Sequence, residues 1–510
     1  MSDATQVLDY RESAMTESES APTRNRWLIL ALVCIAQFMV VLDATIVNVA
    51  LPSIKGGLNF SAGDLQWVVN AYALIFGGFL LLGGRAADLF GRQTLFLIGM
   101  AIFSFASLVN GLATSSGMLI GGRALQGLGA ALVSPAVLGI ITTSFSEGQE
   151  RARALAVWSA IAAGGGAFGL LLGGVLTQTL SWEWCFFVNV PIGVAAFLLA
   201  LKYIPNSKAP GLRGSLDIGG AVTVTAGLVL LVYGIVEAQS AGWLSARTIG
   251  VFSLSAVLFA AFVGIERRFE PPLIRLDMFR SRSLTGGNVA MLFAAAGLFG
   301  MFFFASLYVQ TILGYSPLKA GLAFLPVTVG IIVGAGLAQN LVQRFGVRTL
   351  ALVGMPMAAI GLIPLVLAPV TGTYLQNLLP GFITLSVGMG LTFVPLTLIA
   401  TTGVQEGDAG LASGLFNTSQ QVGGALGLAI LSTISASRTS DWFASLGHAP
   451  TPADQASGLV YGFHTAFLAA AIMLAVGAAV LAVIVRRRHV VAVDELAVAG
   501  ALPAAEAQAA

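Results

Sequence analysis

The sequence predicts an all-α membrane protein of 14 transmembrane helices, arranged as two six-helix halves with two further helices inserted between them. Three observations carry this: composition, a chain divisible into apolar runs of bilayer length, and a one-sided placement of positive charge. Of 510 residues, 57% are hydrophobic and 9% charged, against roughly 25% charged in a soluble domain. A water-soluble core cannot absorb that much apolar surface. The formal net charge is +2 and the Lys and Arg residues are scattered, so no basic face offers itself to nucleic acid.

A helix needs about 20 apolar residues to cross a bilayer. The first six such runs fall near 28–50, 66–84, 94–112, 118–142, 153–176 and 186–204. Two more lie near 218–237 and 247–265, and the last six near 285–310, 320–341, 349–368, 377–400, 410–436 and 460–485. Helices are expected throughout, because unpaired backbone groups are too costly in lipid. The domain plan is a polar cytoplasmic tail over 1–26, a first half over 27–204, a linker with two extra helices over 205–283, a second half over 284–486 and a cytoplasmic tail over 487–510. No apolar stretch precedes Trp27, so no cleavable signal peptide is expected.

With the N-terminus inside, twenty Lys and Arg fall in cytoplasmic segments and four outside, Lys55, Arg247, Lys319 and Arg438, while Arg123 lies within a span. Such a bias is the positive-inside signal, and one miscounted central helix would erase it. Six of seven tryptophans fall at expected helix ends, where amphipathic rings settle. An insert of two helices preserves the orientation of the second half; an odd insert would invert it.

Against this apolar background the polar residues stand out. Asp43 sits mid-span in the string Leu42 to Pro52, where insertion of a carboxylate costs roughly 2.5–3.5 kcal/mol. A buried structural hydrogen bond is the plainer explanation, a functional intramembrane carboxyl the sharper one. Gln37 and Asn48 return to one helix face while Asp43 points about 120° away, so protein or water must surround more than one side. Arg123 lies several residues inside the fourth span, in the string Arg123 to Gly129, with Gln126 on its face; snorkelling to the interface is the alternative. The loop Gly84, Arg85, Ala86, Ala87, Asp88, Leu89, Phe90, Gly91, Arg92 has glycines for a tight turn and an acid for a helix terminus or an arginine. Alone it reads as an ordinary charged loop. The fifth span carries Gly165, Gly169 and Gly173 at intervals of four, plus Gly174, a flat face for close helix approach.

Together these strings resemble the major facilitator superfamily, specifically its fourteen-span drug:proton antiporters, which include multidrug and antibiotic exporters. Four motifs match in order and on the right helices, and Trp182 to Gly193, Gln310 to Pro326 and Gly410 to Leu428 are also family-like. The resemblance covers about residues 27–486. It implies Asp43 as the protonation site, Arg123 as its coupling partner, Gly84, Asp88, Gly91 and Arg92 as a cytoplasmic gate motif, and Gly165, Gly169, Gly173 and Gly174 as a hinge-like contact. Two departures stand out: Leu170 occupies the place of the family's usual proline after Gly169, and the loop lacks a usual basic residue, with Leu89 after Asp88 and Gln93 after Arg92.

The implied function is proton-coupled efflux of drug-like or antibiotic small molecules across a bacterial cytoplasmic membrane. Its partners would be the substrate, protons and the bilayer, without nucleic acid, and the protein would act as a monomer. Import of a small metabolite is the rival, since direction is not written in the fold. No cofactor or metal is expected, the proton gradient being the energy source. None of the four lysines follows a glycine, so a phosphate-binding loop is absent, and no His-Glu-x-x-His occurs, which argues against an ATPase or a metalloenzyme. Gln37, Asn48, Tyr72, Gln126, Asn288, Tyr308 and Gln310 are the candidate substrate contacts, with interhelical hydrogen bonding as the alternative for each. Cys34 and Cys185 imply no disulfide framework.

Overall fold

In the computed structural model the described residues are 26–491, apart from 62, 146–147, 209–214, 402–403 and 405–407. Most of the expected first tail and the end of the last lie outside them. Six helices come first: α1 (Arg26–Gly57), α2 (Trp67–Phe90), α3 (Arg92–Gly111), α4 (Ser116–Ser144), α5 (Gln149–Thr179) and α6 (Trp184–Tyr203). The next two, α7 (Ile218–Ala241) and α8 (Ala246–Glu266), form a hairpin. Then come α9 (Arg282–Ile312), α10 (Pro317–Phe345), α11 (Val347–Val366), α12 (Tyr374–Thr401), α13 (Ala409–Ala444) and α14 (Pro452–Ile484). Among the described residues thirteen of these are long and apolar enough to cross a membrane. The exception is α13, which has 36 residues but carries Asn417, Thr418, Ser419, Gln420 and Gln421 in succession. Packing on α2, α9 and α14 shelters it.

The two sets of six helices pair in the same way. In the first set α1 packs on α5, α2 on α4 and α3 on α4; in the second, α9 packs on α13, α10 on α12 and α11 on α12. Glycine makes these approaches close at equivalent places, with Gly99 against Gly129 between α3 and α4, and Gly354 against Gly388 between α11 and α12. The α2–α3 and α10–α11 connections turn on Gly91 (φ +108°) and Gly346 (φ +78°), backbone angles that a side chain resists.

The α7–α8 hairpin lies on the seam between the two sets. Thr433 of α13 donates to the Ile235 carbonyl at 3.3 Å, and Gly78 of α2 lies against Thr225. Within the hairpin Ser255 donates to the Gly227 carbonyl at 2.7 Å.

One end of the bundle carries Arg85, Arg92, Arg275, Arg344 and Arg348 and is called here the arginine-rich end. At the opposite end the sets meet directly, and α1 shows why. It runs beyond its expected limit and includes Pro52, whose missing N–H leaves the Asn48 carbonyl free. Ser306 of α9 donates to that carbonyl at 2.6 Å, and Gln310 donates to the Val49 carbonyl at 3.0 Å. Nearby, the Leu318 N–H of α10 donates to Gln178 of α5 at 3.2 Å, and Gly174 packs on the Pro317–Leu318 backbone. At the arginine-rich end Arg153, Ala156, Val157 and Ala160 of α5 are exposed.

Candidate functional site: a buried ion pair in the first six helices

Asp43 and Arg123 form an ion pair with relative exposures of 0% and 1%. Four helices hold it. Arg123 Nη1 donates to Asp43 Oδ2 and, at 2.7 Å, to Gln126 Oε1, while Nε donates to the Val68 carbonyl at 2.9 Å. The planar guanidinium lies over the Tyr72 ring, 4.4 Å from its centroid. Asp43 Oδ1 accepts from Gln126 Nε2 at 2.7 Å and from Asn189 Nδ2 at 2.9 Å. Behind them Gln126 also donates to Ser107 at 2.8 Å and accepts from Asn110 at 2.8 Å.

This arrangement has a chemical consequence. Each group bonded to Asp43 is a donor, so the geometry suits the carboxylate and offers no acceptor to a carboxyl O–H. A proton arriving at Asp43 would also leave Arg123 charged, buried and without its counter-ion. Protonation therefore demands rearrangement: an amide must turn its oxygen toward Asp43, and the guanidinium must find other partners.

Gln126 and Tyr72, expected on the substrate path, belong to this network; Tyr72 also donates a long bond, 3.5 Å, to the Val40 carbonyl. Asn189, Ser107 and Asn110 were not singled out by the sequence. A signal existed for Asn189, a lone polar residue inside an apolar run, but 146 positions separate it from Asp43.

Of the other candidate contacts, Asn288 donates to the Leu284 carbonyl at 2.8 Å and accepts from Ser419 at 2.9 Å, joining α9 to α13. Tyr308 donates to the Pro369 carbonyl at 2.6 Å, and Gln310 joins α9 to α1. Gln37 and Asn48 are placed differently. On α1, Phe38, Val41, Thr45 and Ile46 face α5, and Asp43 faces α4; Gln37 and Asn48 fall on the arc left over. Among the described residues the Gln37 Oε1 atom is buried without a partner, and Asn48 Nδ2 reaches only the Ala44 and Thr45 carbonyls of its own helix. On α13, Asn417 falls between the side that faces α9, with Ser419, Gly423 and Gly424, and the side that faces α2, with Thr418 and Gln421, while Gln420 lies at the α9 side and is half-buried. The polar run that lowers the hydropathy of α13 was their signal.

In the gate motif Arg92 Nη2 pairs with Asp88 Oδ1 at 3.2 Å, and the Arg92 N–H donates to the Ser207 carbonyl at 3.0 Å. Gln93, standing where a basic residue is usual, donates to the Ala200 carbonyl at 3.1 Å. The Gly84 face lies against Pro135 of α4. On α5, Gly165 packs on Val41, Gly169 on Thr45 and the Leu42 carbonyl, and Gly173 on the Ile46 carbonyl, while Gly174 turns to α10. Leu170 does not interrupt the helix; its carbonyl meets Gly321 of α10. A lateral groove of about 570 Å³ lies elsewhere, between α2, α3, α4 and the start of α7, lined by apolar groups such as Phe79, Leu82, Leu128 and Ile218.

Comparison with known proteins agrees with this architecture. A family profile described as Major Facilitator Superfamily matches residues 33–428. The chain is 41% identical over 486 residues to the puromycin resistance protein pur8 of Streptomyces alboniger, covering 95% of this chain and 96% of the relative. It is 42% identical over 430 residues to the cephamycin export protein CmcT of Amycolatopsis lactamdurans, covering 84% and 88% respectively. Among solved structures, an inward-facing, unoccupied bacterial homolog of the human lysosomal transporter Spinster superposes with a TM-score of 0.66 at 17% identity, covering 91% of this chain and 98% of that one. At that identity the likeness speaks to fold alone.

Proposed function

The chain belongs to the major facilitator superfamily, a multi-pass membrane transporter and not an enzyme, and from that premise we propose that it exports antibiotic or drug-like molecules across a bacterial cytoplasmic membrane in exchange for protons. Resistance and export relatives support the substrate class and direction. The observation that carries the proton coupling is the buried Asp43–Arg123 pair, an ionised couple whose surroundings hold only one of its two protonation states. In this reading α13 completes fourteen spans, α7 and α8 are the insert, and the arginine-rich end faces the cytoplasm with both termini. Helix α1 bonds to α9 and α5 to α10 at the opposite end, whereas at the arginine-rich end the halves meet along α2 and α13, so we read the conformation as the one that receives substrate from inside.

The cycle follows from these parts. Substrate enters between the halves, along arcs that include Gln37 and Asn48 of α1 and Asn417 and Gln420 of α13. Rocking of the halves breaks the Ser306 and Gln310 bonds to α1 and lets the environment of Asp43 change. A proton from outside then neutralises Asp43 as Arg123 swings to other acceptors, and return to the inward state restores the ion pair and releases the proton inside. Asp43 is separated from the substrate arcs by helix α1 itself, so coupling runs through movement of α1. The test is drug efflux from inside-out or reconstituted vesicles with an imposed pH gradient, alongside susceptibility of an efflux-deficient host. Export that persists after the gradient is collapsed would refute the antiport.

A further inference from the structure

The α7–α8 hairpin carries two acidic residues that the exchange cycle does not use. Asp217 caps the start of α7 and Glu266 ends α8, so the hairpin brings both to the arginine-rich end. They are only 4% and 5% exposed. Asp217 Oδ1 accepts the Gly220 N–H at 2.7 Å, and Glu266 Oε2 accepts the Ile274 N–H at 3.1 Å. The remaining oxygens, Asp217 Oδ2 and Glu266 Oε1, are buried without a hydrogen-bond donor among the described residues. The ends of the two helices meet here, since a Cβ at Gly219 would lie 3.6 Å from both Asp217 Oδ1 and Ile265, and the two carboxyl groups act on each other's charge, with the Leu273 N–H also beside Glu266.

No described cation neutralises them. Arg275 on the linker is held by Asp277 and by Asp408, the residue before α13, each at 2.9 Å. Arg267 and Arg268 after α8, Arg280 before α9 and Arg282 at its first position are exposed. On α2 and α3, Asp88 and Arg92 pair with each other, and Arg85 forms no ion pair among the described residues. Two adjacent buried carboxylates without a cation repel and cannot both stay ionised. A single proton removes the repulsion and supplies the missing donor, since one carboxyl O–H can donate to the orphaned oxygen of the other.

We propose that Asp217 and Glu266 form a second proton-binding site, a carboxyl pair sharing one proton, and that this proton keeps the linker 267–281 docked. The linker is well placed to matter. Leu273, Ile274 and Met278 are buried among Phe79, Leu81 and Leu82 of α2, Ala221 of α7, Phe262 of α8, Leu284 of α9, and Ala412 and Leu415 of α13. It therefore ties the first six helices, the hairpin and the last six together at one end. Release of the shared proton would set the two carboxylates against each other, expel the Glu266 side chain and free the Ile274 amide. This site is independent of Asp43, which lies deep in the first six helices.

Glu266→Gln mimics the protonated pair: its amide NH2 donates to Asp217 Oδ2 and its oxygen still accepts from Ile274. Asp217→Asn does the same from the other side while keeping the Gly220 cap. The experiment is hydrogen–deuterium exchange of the 267–281 peptides in the full-length protein in lipid nanodiscs, from mildly acidic to mildly alkaline pH, corrected for intrinsic exchange. In the wild type, linker protection should fall as pH rises; in Glu266→Gln and in Asp217→Asn it should persist throughout. Wild-type protection that ignores pH, or a Glu266→Gln protein that keeps the wild-type pH dependence, overturns the proposal. Arg213 precedes Asp217 by four residues in the sequence and lies outside the described residues; loss of protection at every pH in Arg213→Gln, or on adding a chelator, would mean that a cation and not a proton neutralises the pair.

Discussion

Replacing Asp43 by Asn removes the titratable group while keeping its size, and the structure says what else it removes. Arg123 is 1% exposed and its counter-ion disappears. An unpartnered buried charge of this kind destabilises by about 3–5 kcal/mol. The new amide NH2 also meets donors on every side, from Arg123, Gln126 and Asn189, so at least one neighbouring amide must turn over. Lost export in Asp43→Asn alone is therefore ambiguous between lost chemistry and lost fold. The double variant Asp43→Asn, Arg123→Gln separates them, because removing both partners leaves no unpaired charge and should recover most of the stability. Unfolding in mixed micelles measures stability, and dye or drug efflux driven by a pH gradient measures function. The expected outcome is a double variant that is clearly more stable than Asp43→Asn yet equally unable to couple export to the gradient. Full gradient-driven export by either well-expressed Asp43 variant would show that the proton is carried elsewhere, and a double variant no more stable than the single one would refute the account of the pair.

Three further outcomes are expected. Arg123→Lys keeps the charge but cannot bond Val68, Gln126 and Asp43 at once through a planar fork, so the number of protons moved per substrate should fall while expression holds, as read by paired substrate and pH measurements in proteoliposomes. Gly173→Leu drives a side chain into the Ile46 carbonyl of α1, now 2.6 Å from the site of a Cβ, and should destabilise by about 1–3 kcal/mol or more and abolish transport, checked by detergent thermal stability beside efflux. Reporter fusions along the loops should place both termini in the cytoplasm; activity of a periplasm-dependent reporter fused after Arg488 would sink the assignment.

The helices were legible in the sequence because lipid imposes one rule on every segment: satisfy the backbone internally and stay apolar for the bilayer thickness. That rule failed locally where protein replaced lipid. The apolar run ending at 50 gave no sign that α1 continues through Pro52 to Gly57, since the carbonyl freed by the proline is satisfied by Ser306, 258 residues away. Asp43 and Arg123 were conspicuous as charges in apolar runs, whereas Asn189, Ser107 and Asn110 are small polar residues of a kind that many spans contain. Only their convergence on one carboxylate distinguishes them, and convergence is a property of the fold.

Placement also bears on which substrates the path admits. Asp43 is directed into the first six helices, where two amides and a guanidinium donate to it, and not onto the arc of α1 shared by Gln37 and Asn48. Its charge is already matched by Arg123, so the pair presents no net charge to a passing molecule. The side chains placed along the proposed substrate path on α1 and α13 are neutral amides, Gln37, Asn48, Asn417 and Gln420. Amides donate and accept equally well, which suits neutral, weakly acidic or singly cationic amphiphiles with hydrogen-bonding groups. A dication would need two buried counter-charges, and without them its desolvation goes unrecovered. Hosts expressing the protein should therefore gain resistance to neutral and monocationic compounds and none to divalent cations such as bis-biguanides. Strong selective resistance to a divalent compound would show that acidic charge faces the substrate path after all and would refute this reading of it.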